Sequence, residues 1–71
     1  MKVVLYTINC PNCIILEKKL KQSNIEFETI TDIDIMSEKG IMSAPTLEVD
    51  GKLMNYANAM KWIGEKDNEK Q

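Results

Sequence analysis

The two cysteines, Cys10 and Cys13, are the residues of this 71-residue chain that are best suited to chemistry. Pro11 and Asn12 separate them in the segment CPNC, and the chain contains no histidine. Histidine is the usual general base near neutral pH and a common metal ligand, so its absence removes Ser–His pairs, Cys–His pairs and imidazole metal sites. If the chain is catalytic, the two thiols are therefore the obvious reactive groups.

A strand, a helix and a second strand are predicted to position these cysteines. The segment Lys2–Ile8 is almost continuously apolar and β-branched, which is typical of a strand buried on both faces. Cys13, Leu16 and Leu20 are spaced three and four residues apart and therefore share one helix face. Ile25–Ile30 alternates between apolar and polar residues, which indicates a half-buried strand. This order predicts a βαβ unit with parallel strands and a right-handed crossover.

The first cysteine is predicted to lie where this helix begins. Pro11 suits the first helical position because its φ angle is already fixed and it has no N–H group to leave unpaired, so Asn9 or Cys10 would be the cap. Only a thiolate attacks a disulfide, and the free N–H groups of a helix N-terminus stabilise that anion. We therefore predict that Cys10 is the exposed nucleophile. Cys13, one turn further on and facing the core, would resolve the mixed disulfide.

The second half of the chain predicts a short helix and a hairpin. Thr31 or Asp32 could cap a short helix that ends near Gly40. The segments Ala44–Val49 and Lys52–Met54 would form the hairpin, because the Asp-Gly pair between them favours a primed two-residue turn.

A closing helix completes the predicted fold. Apolar residues at helical spacing indicate this helix in the segment NYANAMKWI, with Asn55 or Asn58 as its cap. The hairpin strands most simply join the same sheet, antiparallel to the first strand. The result is an α/β protein with the thioredoxin fold in its minimal form (βαβ-α-ββα), a four-stranded mixed sheet flanked by helices. Residues 1–64 would form this domain, and residues 65–71 a polar C-terminal tail.

Composition and charge exclude several classes of function. Eleven acidic residues and nine lysines give a net charge of −2 and leave no basic face for nucleic acid or an anionic membrane. No apolar run is long enough to span a bilayer, and the N-terminus lacks a signal-peptide pattern. We therefore expect a cytoplasmic monomer that binds neither nucleic acid nor membrane. Four methionines are expected to fill gaps in an aliphatic core, namely Met36, Met42, Met54 and Met60.

Three other interpretations of the C-x-x-C spacing are open. A zinc site needs four ligands, which one chain lacks here, although a dimer could pool four cysteines or add carboxylates. A structural disulfide across two residues would close too small a loop to stabilise the fold much, and the cytosol would reduce it. Inert buried thiols are the third interpretation. The position beside a βαβ unit favours a redox pair over all three.

Pro45 lies at the start of a predicted strand, where proline is tolerated at a first residue or on an edge. If the Ala44–Pro45 bond is cis and the turn faces Cys10, the backbone N–H and C=O groups of Ala44 could pair with an extended substrate. A trans proline that simply opens the strand is the alternative, and trans is the commoner geometry.

Together these segments resemble the glutaredoxins and the short glutaredoxin-like thioredoxins. The similarity covers residues 2–63 and depends on the motifs CPNC, SAPT and VDGK. It implies a cis Pro45 and catalysis by thiol–disulfide exchange, with Cys10 as the attacking residue. Contacts to the substrate are expected from residues around the thiols and at the start of the closing helix, namely Pro11, Asn12, Ala44, Pro45, Tyr56 and Asn58.

The chain departs from the glutaredoxin pattern where glutathione would bind. Thr7 stands where glutaredoxins commonly have a lysine or arginine, and Asn55-Tyr56 stands where they have a Gly-Gly pair. Asn58 could still offer an amide to the γ-glutamyl end, and Tyr56 either packs in the core or lies beside the thiols. An uncharged surface of this kind fits a protein disulfide about as well as glutathione.

We therefore predict a thiol–disulfide oxidoreductase that reduces protein or small-molecule disulfides with the Cys10/Cys13 dithiol. It would bind no metal or cofactor, and glutathione or a thioredoxin reductase would supply its electrons. Two alternatives come from other classes of protein. One is a glutaredoxin-type dimer bridged by an iron–sulfur cluster or another metal, and the other is a docking module with idle thiols.

Overall fold

A four-stranded mixed sheet and three helices make up the part of the chain that the computed structural model describes, which is the backbone of residues 2–69 and the side chains of residues 2–66. The strands are β1 (Val3–Tyr6), β2 (Glu28–Ile30), β3 (Thr46–Val49) and β4 (Lys52–Met54). The helices are α1 (Pro11–Gln22), α2 (Ile33–Glu38) and α3 (Tyr56–Glu69). The strand order is β2-β1-β3-β4, with β1 and β2 parallel and the other pairs antiparallel. The predicted thioredoxin fold is confirmed.

The first strand lies at the centre of the sheet, and all four of its residues are buried. On one face, Val3 and Leu5 pack with Leu16 of α1 and Ile63 of α3. On the other face, Val4 and Tyr6 pack with Met36 of α2. Helices therefore cover both faces of the sheet, which is why β1 is apolar at every position instead of at every second one.

The β3–β4 hairpin turns at Asp50 and Gly51, as the sequence predicts. Their φ angles are 50° and 89°, so both central residues have the left-handed conformation that a type I′ turn requires. Asp50 also accepts a hydrogen bond from the backbone N–H of Lys2 at 2.8 Å and donates its own N–H to the Lys2 carbonyl at 2.9 Å. The turn is thereby tied to the start of β1.

Four elements differ in length from the prediction. The first strand is Val3–Tyr6 instead of Lys2–Ile8, and the third is Thr46–Val49 instead of Ala44–Val49. The second strand begins at Glu28 instead of Ile25. Ile25 and Phe27 pack on the core before the chain reaches β1. The backbone N–H of Ile25 bonds to the Leu20 carbonyl and therefore does not pair with a strand.

The last helix continues beyond the predicted segment to Glu69. Glu65 and Lys66, which are good helix formers, lie in this extension. The division of the chain at residue 64 stays a prediction, and residues 70 and 71 of the tail lie outside the described part.

None of the helices in the described part is both long enough and apolar enough to cross a membrane.

The short helix α2 is fastened to the sheet by a polar contact. The Tyr6 hydroxyl donates to Glu48 Oε1 at 3.0 Å, and Lys39 Nζ lies 3.4 Å from the same oxygen. Since Lys39 follows α2 as its C-cap residue, this contact holds the end of α2 against β1 and β3.

Burial, followed by the hydrogen bond to Glu48, raises the pKa of the Tyr6 hydroxyl above its ordinary value of 10.0. The hydrogen bond with Tyr6 is the largest cause of the raised pKa of Lys39. Both shifts favour the protonated groups in the folded state. The stability that these two protonated groups contribute to the folded state is therefore fully present below pH 10.0. It is lost as pH rises through their folded-state pKa values.

Replacing Tyr6 with phenylalanine should lower the free energy of unfolding at pH 7 by about 1 kcal/mol, because a partly buried hydrogen bond to Glu48 is lost. It should also make the stability fall less steeply in the alkaline range than it does in the wild type. Urea unfolding at neutral and alkaline pH measures both effects, with Tyr56→Phe as the control. Equal alkaline slopes for Tyr6→Phe and the wild type would contradict this account.

Candidate active site

Cys10 is the N-cap residue of α1, and Pro11 occupies the first turn, as predicted. The chain reaches this position from β1 through Asn9, whose φ angle of 61° is left-handed, a conformation that asparagine tolerates better than most residues. The backbone N–H of Asn9 donates to the Thr7 hydroxyl at 3.0 Å. This local turn sets the direction in which Cys10 enters the helix.

The two sulfurs are joined as a disulfide, with the Cα atoms 4.9 Å apart. The backbone N–H of Cys13 points at Cys10 Sγ, and the N···S distance is 3.1 Å. When the pair is reduced, the same N–H group is placed to stabilise a thiolate on Cys10. Cys13 is completely buried in the fold, whereas Cys10 is partly exposed. Access therefore distinguishes the two sulfurs: a partner from solvent reaches Cys10.

The loop before β3 lies against Cys10. Its Ala44–Pro45 peptide bond is cis, and the Ala44 carbonyl oxygen is 4.0 Å from Cys10 Sγ. The Thr46 hydroxyl donates to the Ser43 carbonyl at 2.8 Å, which fixes the loop to the first residue of β3. The backbone of Ala44 is therefore held beside the exposed sulfur.

An apolar groove of about 430 Å³ runs from this loop to α2. Among the described residues that line it, none is charged: a glycine and two serines accompany Ile8, Ile33, Met36, Ile41, Met42 and Ala44. Charged residues are also absent from residues 3–16, which contain the cysteines, and from residues 40–47, which contain the loop. The surface around Cys10 is thus apolar and neutral.

The predicted site residues do not all come together. Ala44 lies beside Cys10, and Pro45 follows it through the cis peptide bond. Pro11 and Asn12 are exposed at the start of α1. Tyr56 packs against the core cluster between α1, α3 and the sheet. Asn58 is not the cap of α3, because Asn55 Oδ1 accepts the backbone N–H of Asn58 at 2.8 Å.

The groove residues contributed by α2 and the loop are the part of the site that sequence reasoning missed. Met36 fills a gap in the core as expected, but Met42 is exposed at the groove, so its prediction as a core residue is wrong. Within residues 2–66, no group of three or more potential metal ligands is close enough to hold a metal ion.

A partly exposed cysteine at a helix N-terminus, a buried partner one turn later and a proline loop opposite define a protein of the thiol–disulfide exchange class. The comparisons agree with this class. The chain is 37% identical over 59 residues to a thioredoxin from Methanothermobacter thermautotrophicus, a match that covers 75% of this chain and 77% of that one. The chain belongs to the thioredoxin family.

Solved structures support the fold. The crystal structure of the thioredoxin-like protein BC3987 superposes with a TM-score of 0.70 at 24% identity, covering 87% of this chain and 99% of that one. A mutant of the same protein gives a TM-score of 0.69 at 22% identity, with 87% and 97% covered. No family model matches the sequence.

Proposed function

We propose that the chain reduces disulfide bonds in protein substrates. The Cys10 thiolate attacks one sulfur of the substrate disulfide, that S–S bond breaks, and the departing sulfur takes a proton. The Cys13 thiolate then attacks Cys10 Sγ and releases the second substrate thiol. Two electrons pass to the substrate, and the Cys10–Cys13 disulfide remains. The observation that carries this proposal is the difference in access between a partly exposed Cys10 and a buried Cys13.

A protein is the substrate that best fits the surface around Cys10. The Ala44 carbonyl is 4.0 Å from Cys10 Sγ, so an extended chain carrying the attacked cysteine can pair with the Ala44 backbone. The adjoining groove is apolar and offers no charged group to the carboxylates of a small anionic thiol such as glutathione. Apolar contacts beside the disulfide would instead add affinity for a macromolecular partner.

A thioredoxin reductase is the electron source that we favour over glutathione. Thr7 stands where glutaredoxins commonly have a cation, and it is buried with its hydroxyl accepting the Asn9 N–H. It is therefore not placed to bind a carboxylate. A monomer in the cytoplasm, with no contact to nucleic acid or membrane, fits this role. The buried Cys13 favours a resolving thiol within one chain over a ligand that bridges two chains through a metal or cluster.

Insulin reduction tests this proposal with three electron sources. Dithiothreitol needs no recognition, NADPH with a thioredoxin reductase tests the favoured source, and NADPH with glutathione and glutathione reductase tests the other. We expect the protein to accelerate insulin reduction with dithiothreitol and with the thioredoxin reductase, and less with glutathione. No acceleration with any source would contradict the function. Activity with dithiothreitol and glutathione, but none with the thioredoxin reductase, would contradict only the proposed electron source.

A further inference from the structure

Met42 is an apolar side chain that the fold leaves in solvent. It is 97% exposed, whereas Met36, which lines the same groove, is 5% exposed. Core packing therefore accounts for Met36 but not for Met42. An unbranched thioether in solvent is suited to contacting partners of varied shape, because it is flexible and polarisable.

The position of Met42 connects it to the thiol chemistry. It lies at the edge of the groove, two residues before Ala44, whose carbonyl oxygen is 4.0 Å from Cys10 Sγ. A macromolecule that lies in the groove while its disulfide reaches Cys10 would contact the Met42 side chain, because Met42 and Ala44 line the same groove. The chemical state of this thioether therefore affects how tightly such a partner binds.

We propose that Met42 is a methionine oxidation site that controls the docking of protein disulfides in the groove. A peroxide transfers one oxygen atom to the Met42 thioether, giving the sulfoxide, while the peroxide O–O bond breaks and, for hydrogen peroxide, water is released. The sulfur loses two electrons and the peroxide gains them. The sulfoxide is polar and strongly hydrated, so it removes apolar contact area from the edge of the groove.

This inference deepens the proposed function and rests on it. Oxidation of Met42 should weaken the reduction of protein disulfides, which need the groove. It should spare a small neutral disulfide such as 2-hydroxyethyl disulfide, which needs only Cys10. The attacking and resolving sulfurs are unchanged, so the modification alters which substrates are reduced and leaves the chemical steps intact.

The test uses the disulfide form of the protein, in which Cys10 and Cys13 are protected from the peroxide. Wild type, Met42→Leu and Met54→Leu are treated with hydrogen peroxide, freed of it and mapped by peptide mass spectrometry. Each sample is then assayed with insulin and with 2-hydroxyethyl disulfide, using dithiothreitol as reductant. Met54 is the matched control because it is partly buried on β4, outside the groove.

We expect oxidised wild type and oxidised Met54→Leu to lose about tenfold in kcat/KM for insulin, the factor expected when part of a methionine's apolar contact is lost. Oxidised Met42→Leu should match its own untreated sample. Met42→Gln, which carries a polar group without peroxide, should show a similar loss relative to Met42→Leu. Equal losses in Met42→Leu and wild type, or no loss in wild type with Met42 fully oxidised, would overturn the inference. Inactive untreated wild type would instead mark a failure of the proposed function.

Discussion

Replacing Cys10 with serine should lower insulin reduction by about a thousandfold or more, because serine cannot supply the nucleophilic sulfur. Replacing Cys13 with serine should give a different defect. Cys10 can still attack, but nothing behind it breaks the mixed disulfide, so a covalent complex with the substrate should accumulate. Non-reducing gel electrophoresis and mass spectrometry detect that complex directly.

The two cysteine variants serve as controls for each other. Each replaces sulfur with oxygen at the same helix, and a circular dichroism spectrum shows whether α1 is retained in both. Residual activity with glutathione in Cys13→Ser would show that Cys10 alone exchanges with that small thiol. Wild-type insulin activity in Cys10→Ser would contradict the assigned roles. So would a covalent substrate complex on Cys13 in Cys10→Ser with none on Cys10 in Cys13→Ser.

Replacing Leu16 with alanine should lower the free energy of unfolding by about 2–5 kcal/mol, the cost of removing a buried leucine side chain and leaving a cavity. Leu16 is fully buried in the cluster that joins α1 and α3 to the sheet. In a chain of 71 residues this is a large share of the total stability. Urea unfolding followed by circular dichroism measures it.

Ile15→Ala is the matched control on the same helix. Ile15 is 47% exposed, and alanine has the higher helix propensity, so this change should shift the unfolding free energy by less than about 0.5 kcal/mol. A comparable loss in both variants would mean that α1 does not pack through the face that contains Leu16 and Cys13. The burial of the resolving cysteine would then lack its structural basis.

Local preferences explain why much of the site could be predicted from the sequence. Pro11 restricts where α1 can begin, and that places Cys10 at the cap without any tertiary contact. Cys13 and Leu16 are three residues apart and therefore share the helix face that packs on the core, so Cys13 is the cysteine that faces the core. Asp50 and Gly51 likewise determine the hairpin turn through their own backbone preferences.

The remaining features depend on tertiary contacts that periodicity does not encode. The second strand is short because pairing with β1 involves only Glu28–Ile30. The groove exists because α2 packs across the sheet beside the loop at Ala44, and its place relative to Cys10 follows from the topology. Met36 and Met42 lie at the two ends of residues 36–42 and look alike in the sequence, yet Met36 is buried and Met42 is exposed.

Partial alkylation of the reduced protein tests the central claim, which is that solvent reaches one sulfur and not the other. The protein is reduced, treated with less than one equivalent of iodoacetamide at neutral pH without denaturant, and analysed by fragment-ion mass spectrometry. The structure predicts carbamidomethyl groups on Cys10 and almost none on Cys13. Labelling of Cys13 at an equal or faster rate would contradict the account.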